Sequence, residues 1–181
     1  TKYLRAHKWH LHLANSIKKY LKEYYRAKEI YFDETDFRFP NPILYVDRLL
    51  NVAQNDEFRT YISTVHGDLQ TANILIDSIN NIWLIDFANT GKAHILRDFV
   101  ELETSIKYSV METEDLKDLC EMESMLLSQD HLNQALDFNH PNTDVQKALQ
   151  TILLIRSKAG QVSSSSAKTL SEYYIALLMN T

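Results

Sequence analysis

Apolar residues recur with a helical period along most of the chain, and one short region breaks that rhythm. Over residues 11–30, Ile17, Leu21, Tyr24 and Tyr25 share one helical face, with Lys18, Lys19, Lys22 and Arg26 on the other. Phe39-Pro40-Asn41-Pro42 closes this stretch, because proline pushes its neighbours out of the helical region. Residues 43–54 restart a helix through Leu44, Leu49, Leu50 and Ala53. The rhythm then changes. Ile74-Leu75-Ile76 and Ile82-Trp83-Leu84-Ile85 are β-prone runs separated by the turn-forming Asp77-Ser78-Ile79-Asn80-Asn81, which predicts a small hairpin. Helical patterns return over residues 95–108, 113–127, 143–158 and 167–179, with Gly160 to Ser166 as a flexible connection between the last two. Only three glycines and three prolines occur, which favours long helices over a many-turned β fold. The expected fold is mostly α with a small β-hairpin (α+β), in one domain over residues 1–181. Its parts are a helical lead-in (1–62), a central segment with the hairpin (63–100) and a helical subdomain (101–181).

Composition narrows the function more than the fold. A net charge of −5 and a pI near 5.8 provide no overall basic field, so nucleic acid and anionic membranes are not the expected partners. No apolar run approaches the ~20 residues of a membrane-spanning helix, and the N-terminus has no secretory pattern. The single cysteine, Cys120, excludes an internal disulfide framework and fits a reducing compartment. A cytoplasmic protein is expected. The chain opens on Thr1 rather than methionine, which points to a piece of a longer polypeptide.

The candidate chemistry lies around the hairpin. Asp68 precedes its first strand, Asn73 opens that strand and Asp86 follows the second, so antiparallel pairing brings all three to one end. Two carboxylates and an amide oxygen form a hard-oxygen set suited to magnesium, which takes one or two carboxylates and leaves places for water and phosphate. If Asn73 and Asp86 hold the metal, Asp68 is free to orient a hydroxyl and accept its proton as the oxygen attacks phosphorus. His66 is placed as a brace of the catalytic loop, and Gly67 permits a backbone approach that a side chain would hinder. Taken singly, each of these residues is also at home capping a turn or a helix end.

His66-Gly67-Asp68-Leu69, Asn73-Ile74-Leu75 and Leu84-Ile85-Asp86-Phe87 together resemble the catalytic segment of the aminoglycoside phosphotransferase and choline kinase superfamily, relatives of the protein kinases. The resemblance is strong over residues 63–100. It implies a protein kinase-like C-terminal lobe with Asp68 as catalytic base, His66 as loop support, and Asn73 and Asp86 as magnesium ligands that also hold ATP or GTP. It further implies that Asp98, in Arg97-Asp98-Phe99, anchors the loop through backbone hydrogen bonds. Gly67 stands where protein kinases carry arginine, which favours a small-molecule hydroxyl acceptor. The glycine of the D-F-G signature is absent from Asp86-Phe87-Ala88. Residues 90–99 more loosely resemble kinase-like domains of bacterial conflict and signalling proteins.

A kinase of this kind also needs an N-terminal β lobe with a phosphate-covering loop and a lysine. No such motif occurs before His66, so that lobe is expected to be absent from this chain and supplied by the same longer polypeptide. Two functions follow as expectations. The first is the C-terminal lobe of an ATP-dependent phosphotransferase acting on a small-molecule hydroxyl. The alternative is an inactive kinase-like scaffold or sensor, acting through partner or nucleotide binding in a bacterial signalling or conflict system. Other features have plainer readings. His7, His10 and His12 lack the spacing of a zinc site. Tyr20, Tyr24, Tyr25 and Tyr31 read as packing, and the acidic residues of 112–123 as a solvated face. His94 is expected in the loop after Asp86, in an exposed or structural position, with Lys92 and Arg97 nearby.

Overall fold

The computed structural model describes residues 15, 19, 22, 26–31, 35–41, 44, 60–113, 115–163 and 169–180. The chain divides into two compact units, Thr1–Phe58 and Arg59–Thr181. Histidines 7, 10 and 12, most of the helical patterns of residues 11–30 and 43–54, and residues 164–168 lie outside the described residues.

Within the first unit, β1 (Glu29–Tyr31) pairs antiparallel with β2 (Arg38–Pro40), setting Ile30 opposite Phe39. This corrects the expectation of helix as far as residue 30. Ile30 and Tyr31 are strand formers that gain ladder partners from Arg38 to Pro40, and Ile30 is buried. Pro40, expected only as a terminator, takes the last position of the second strand, where a missing N–H is tolerated. Asn41 then closes the ribbon: its N–H donates to the Lys28 carbonyl (3.0 Å) and its Nδ2 to the Ala27 carbonyl (2.9 Å).

The second unit begins with β3 (Ile62–Val65), β4 (Ile74–Ile76), β5 (Ile82–Leu84) and β6 (Gly91–His94). The predicted hairpin is β4–β5, with Ile74 opposite Leu84 and Ile76 opposite Ile82. Asp77 shapes its turn. Asp77 Oδ1 accepts from the N–H groups of Ile79 (3.0 Å) and Asn81 (2.9 Å), and Oδ2 accepts from Asn81 Nδ2 (2.9 Å). The Asn81 bonds, backbone first, hold this exposed carboxyl below the usual carboxylate range. Asn80 supplies the left-handed backbone the reversal needs (φ 63°). The other pairing, β3 with β6, joins Val65 to Gly91 and Ile62 to His94. His94 therefore ends a strand and is not in a loop. Gly91-Lys92-Ala93-His94 has little intrinsic strand preference and takes its conformation from β3.

Among the described residues, four α-helices follow: α1 (Arg97–Ser105), α2 (Leu116–Leu127), α3 (Thr143–Val162) and α4 (Thr169–Asn180). α1 runs on into a π-helical segment, Ile106–Val110, whose last turn is closed by Met111 N–H on the Ile106 carbonyl (3.0 Å). Asp115 caps α2 through Lys117 N–H (2.8 Å) and Asn142 caps α3 through Asp144 N–H (3.0 Å), each cap being worth about 1 kcal/mol. α3 continues through Gly160 to Val162, so the expected break at Gly160 begins later. A Cβ at Gly160 would stand 3.3 Å from Leu132 Cβ, and the glycine is there for close packing. The core lies between α2 and α3 (Met122, Leu126, Val145, Leu149, Ile152) and beside α1 and α4 (Leu96, Val100, Tyr173).

A charged network runs through this core. Arg156, fully buried, grips Glu103 with Nε (2.9 Å) and Nη2 (2.7 Å) and donates Nη1 to the Leu126 carbonyl (2.9 Å). Tyr173 donates its hydroxyl to Glu103 (2.6 Å), and Lys107 bridges Glu103 (2.8 Å) and Glu123 (2.7 Å). Burial alone would push the Glu103 carboxyl up, but Arg156 and Lys107 more than offset it and hold it below its ordinary range. Glu123 thus departs from the solvated-face reading of residues 112–123. Small antiparallel sheets and packed helices define an α+β fold, and among the described residues no helix is long and apolar enough to cross a membrane.

Candidate functional site

The loop between β3 and β4 carries His66, Gly67, Asp68 and Asn73, and most polar backbone groups along it have an assigned partner. Asp98, in the first turn of α1, accepts from His66 N–H with Oδ2 (2.7 Å) and from Gly67 N–H with Oδ1 (2.9 Å). One carboxylate receiving two adjacent amides fixes the direction of the chain as it leaves β3. Further along, Glu101 accepts from Leu69 N–H (3.2 Å), and Ser105 Oγ accepts from Thr71 N–H (3.0 Å). Arg97 Nη2 donates to the Gly67 carbonyl and Thr90 Oγ1 to the His66 carbonyl (3.2 Å).

Gly67 cannot be anything larger without a shift. Its φ is +84°, and a Cβ there would lie 2.2 Å from the Asn89 carbonyl oxygen. The loop after β5 is thereby pressed against the loop after β3. His66 ties the same two loops: its ring Nε2 donates to the Ile85 carbonyl (2.9 Å), and its face tilts against Phe87 with centroids 4.8 Å apart. With Nε2 donating, Nδ1 is left buried and unpartnered. Ile85 N–H in turn donates to the Asn73 carbonyl (3.1 Å), so Asp86 begins where the hairpin's open end meets Asn73.

Asn73, buried, donates Nδ2 to the Asp68 carbonyl (2.8 Å) and, more weakly, to the Asp68 carboxylate (3.4 Å). That use of the amide nitrogen leaves Asn73 Oδ1 as the atom able to face a cation. Asp68 is half-buried and its Oδ1 also accepts from Gln70 Nε2 (3.4 Å). Asp86 is exposed and left-handed (φ 62°, ψ 63°), a conformation that costs about 1–2 kcal/mol for a residue with a Cβ. Its carboxylate has no hydrogen-bond or ion-pair partner among the described residues. The structure therefore joins the side chains of Asp68 and Asn73 and sets the Asp86 backbone at the same end of the hairpin. Among the described residues, no side-chain hydrogen bond links Asp86 to the other two. The donor set, a carboxylate and an amide oxygen beside a second carboxylate, has the chemistry of a hard divalent cation. Among the described residues, no group of three or more His, Cys, Asp or Glu side chains forms a metal site.

A groove of about 330 Å³ opens beside Thr71 and Ile74, lined also by Leu102, Ile106, Met111 and Lys147. His94 reaches α4 instead: its Nδ1 accepts from Leu96 N–H (3.2 Å) and its Nε2 stands 3.0 Å from Glu172 Oε1. Sequence reasoning missed Glu101, Ser105 and Thr90 as loop-holding residues and left Arg97 undecided. The signal was present in α1, where polar residues at positions 97, 98, 101 and 105 share one face.

These elements define a small α+β domain whose polar site is built at the open end of a β-hairpin and braced by one helix. The model of the ternary complex associated domain 9 family matches residues 12–181, and the chain belongs to that family. No curated protein and no solved structure matches it.

Proposed function

We propose that this chain is the C-terminal lobe of an ATP-dependent phosphotransferase that moves a phosphoryl group to a hydroxyl of a small molecule. The observation that carries the reading is the contact of Asn73 with Asp68, beside an Asp86 held left-handed at the end of the hairpin with no side-chain partner among the described residues. In this reading Asn73 Oδ1 and the Asp86 carboxylate hold magnesium, which when bound neutralises phosphate charge. Asp68 accepts the proton of the attacking hydroxyl as that oxygen bonds to phosphorus and the bond to the leaving nucleoside diphosphate breaks. His66 keeps the two loops in register, and Asp98 holds the backbone that carries Asp68. The groove beside Thr71 and Ile74 is the place for the acceptor. The nucleotide-covering lobe, with its lysine, comes from polypeptide beyond these 181 residues.

The test is magnesium-dependent transfer from γ-labelled ATP by the polypeptide that contains this domain. Asp68→Asn is expected to lower the rate by about 10²–10⁴-fold, the usual share of a positioned base, with an unchanged melting curve. The isolated domain is expected to bind magnesium weakly and to turn over negligibly. Equal rates for the wild type and Asp68→Asn would overturn the reading.

A second reading, a kinase-like scaffold in a bacterial signalling or conflict system, is favoured by a different observation. Ile76, Ile79, Ile82 and Trp83 on the hairpin are 58 to 76% exposed, a run of apolar surface suited to a partner. The family name speaks of association in a ternary complex. This reading expects Ile79→Asp with Trp83→Ser to abolish assembly while Asp68→Asn leaves function intact.

A further inference from the structure

A carboxylate that serves as a base is useful only if it points reproducibly, and its direction is set by the peptide planes on either side of its own residue. Both planes flanking Asp68 are clamped. On the near side, the Gly67 carbonyl receives Arg97 Nη2. On the far side, the Asp68 carbonyl receives Asn73 Nδ2 (2.8 Å), while the N–H of the same peptide, Leu69 N–H, is held by Glu101 (3.2 Å). Arg97 and Glu101 are one helical turn apart on α1, so a single rigid element grips the chain before and after the base. The helix and the loop run alongside each other in the same direction. Residues 97, 98, 101 and 105 lie within an arc of about 100° at 100° per residue: Arg97 meets Gly67, Asp98 meets His66 and Gly67, Glu101 meets Leu69 and Ser105 meets Thr71.

From this geometry we infer that Arg97 and Glu101 are positioning residues for Asp68, a role that rests on the phosphotransferase reading. Neither need touch substrate. Glu101 carries a second mark of such a role: burial first, then repulsion from the Asp68 and Asp98 carboxylates, pushes its carboxyl above the ordinary range, although Leu69 and Arg97 act against the rise. A glutamate kept among like charges opposes stability, and the loop contact is what it offers in return.

The test uses Glu101→Ala, Arg97→Ala and the conservative Glu101→Gln, whose amide oxygen still accepts from Leu69 N–H. In this chain, amide hydrogen exchange at Leu69 is expected to quicken at least tenfold in Glu101→Ala and to return close to wild type in Glu101→Gln. Exchange at Ile152, in the core, stays unchanged and reports that the fold is intact. In the ATP-dependent assay on the larger polypeptide, Glu101→Ala and Arg97→Ala are expected to lower kcat at least tenfold with the KM for ATP within twofold of wild type, and Glu101→Gln to rescue kcat. Faster exchange at Leu69 with unchanged kcat would overturn the positioning role and leave the phosphotransferase reading standing. A wild-type polypeptide without ATP-dependent transfer would instead overturn that reading. Unchanged exchange at Leu69 in Glu101→Ala would overturn the clamp in either case.

Discussion

The two faces of α1 use acidic side chains in opposite ways. Glu101 lies toward the loop that carries Asp68, half-buried beside two other carboxylates, and its carboxyl is pushed up. Glu103, two residues on and about 200° around the helix, lies in the core, gripped by Arg156, Lys107 and Tyr173, and its carboxyl is held down. The hairpin strands and their turn are largely exposed, and the loops beside them are left-handed in places and held mainly by polar contacts, whereas the helical part is a packed core around the paired charges of Glu103, Lys107 and Arg156. On the phosphotransferase reading, stability and chemistry fall on different sides of one short helix.

The comparison is broken most severely from the core side. Arg156→Met should cost about 3–5 kcal/mol in urea unfolding, because it leaves Glu103 buried without its main partner. Gly67→Ala should cost roughly 2–4 kcal/mol, through its left-handed backbone and its clash with the Asn89 carbonyl, and should abolish ATP-dependent transfer even at temperatures where the protein stays folded. Asp86→Gly should act the other way. Relieving the left-handed strain should raise stability by about 1 kcal/mol while removing divalent-ion binding, measured by titration with manganese. The smallest effect is the sharpest comparison. Glu103, whose carboxyl is depressed from 4.5, stabilises the fold above that value, and its contribution is lost as pH falls through the lower folded value. Glu101, whose carboxyl is raised from 4.5, opposes folding as pH climbs through that value toward the higher folded one. Glu101→Gln should therefore raise the unfolding free energy slightly at pH 7, by less than about 1 kcal/mol after solvent screening, and have no effect at pH 3. A stabilisation that persisted at pH 3 would show that charge is not the cause.

What the sequence disclosed follows from how local the cause is. The β4–β5 hairpin was legible because Ile74-Leu75-Ile76 and Ile82-Trp83-Leu84 prefer strands on their own and Asp77 and Asn80 supply the turn within five residues. The positions of Asn73 and Asp86 at its open end followed from the same short-range pairing, whereas the course of the loop through Asp68 depends on Asp98 and Glu101 in α1. The helices were legible from their apolar period, although Gly160 proved to be a packing residue, because its partner Leu132 lies 28 positions away. β6 was not legible, since nothing in Gly91-Lys92-Ala93-His94 prefers a strand until Ile62–Val65 pairs with it. Nor were Glu103, Lys107 and Arg156, whose burial depends on contacts 53 residues apart in the chain. Charged residues in a helical pattern look solvated until the opposing helix is known.

Because α1 holds the Asp68 loop on one side and Arg156 on the other, any turn or withdrawal of the helix would pull on Glu103 and its guanidinium as well as on the loop. While Asp98 and Glu101 keep their grip, the loop therefore rests on a helix that the core itself keeps in place, so a ligand would meet a seat already formed instead of one that assembles around it.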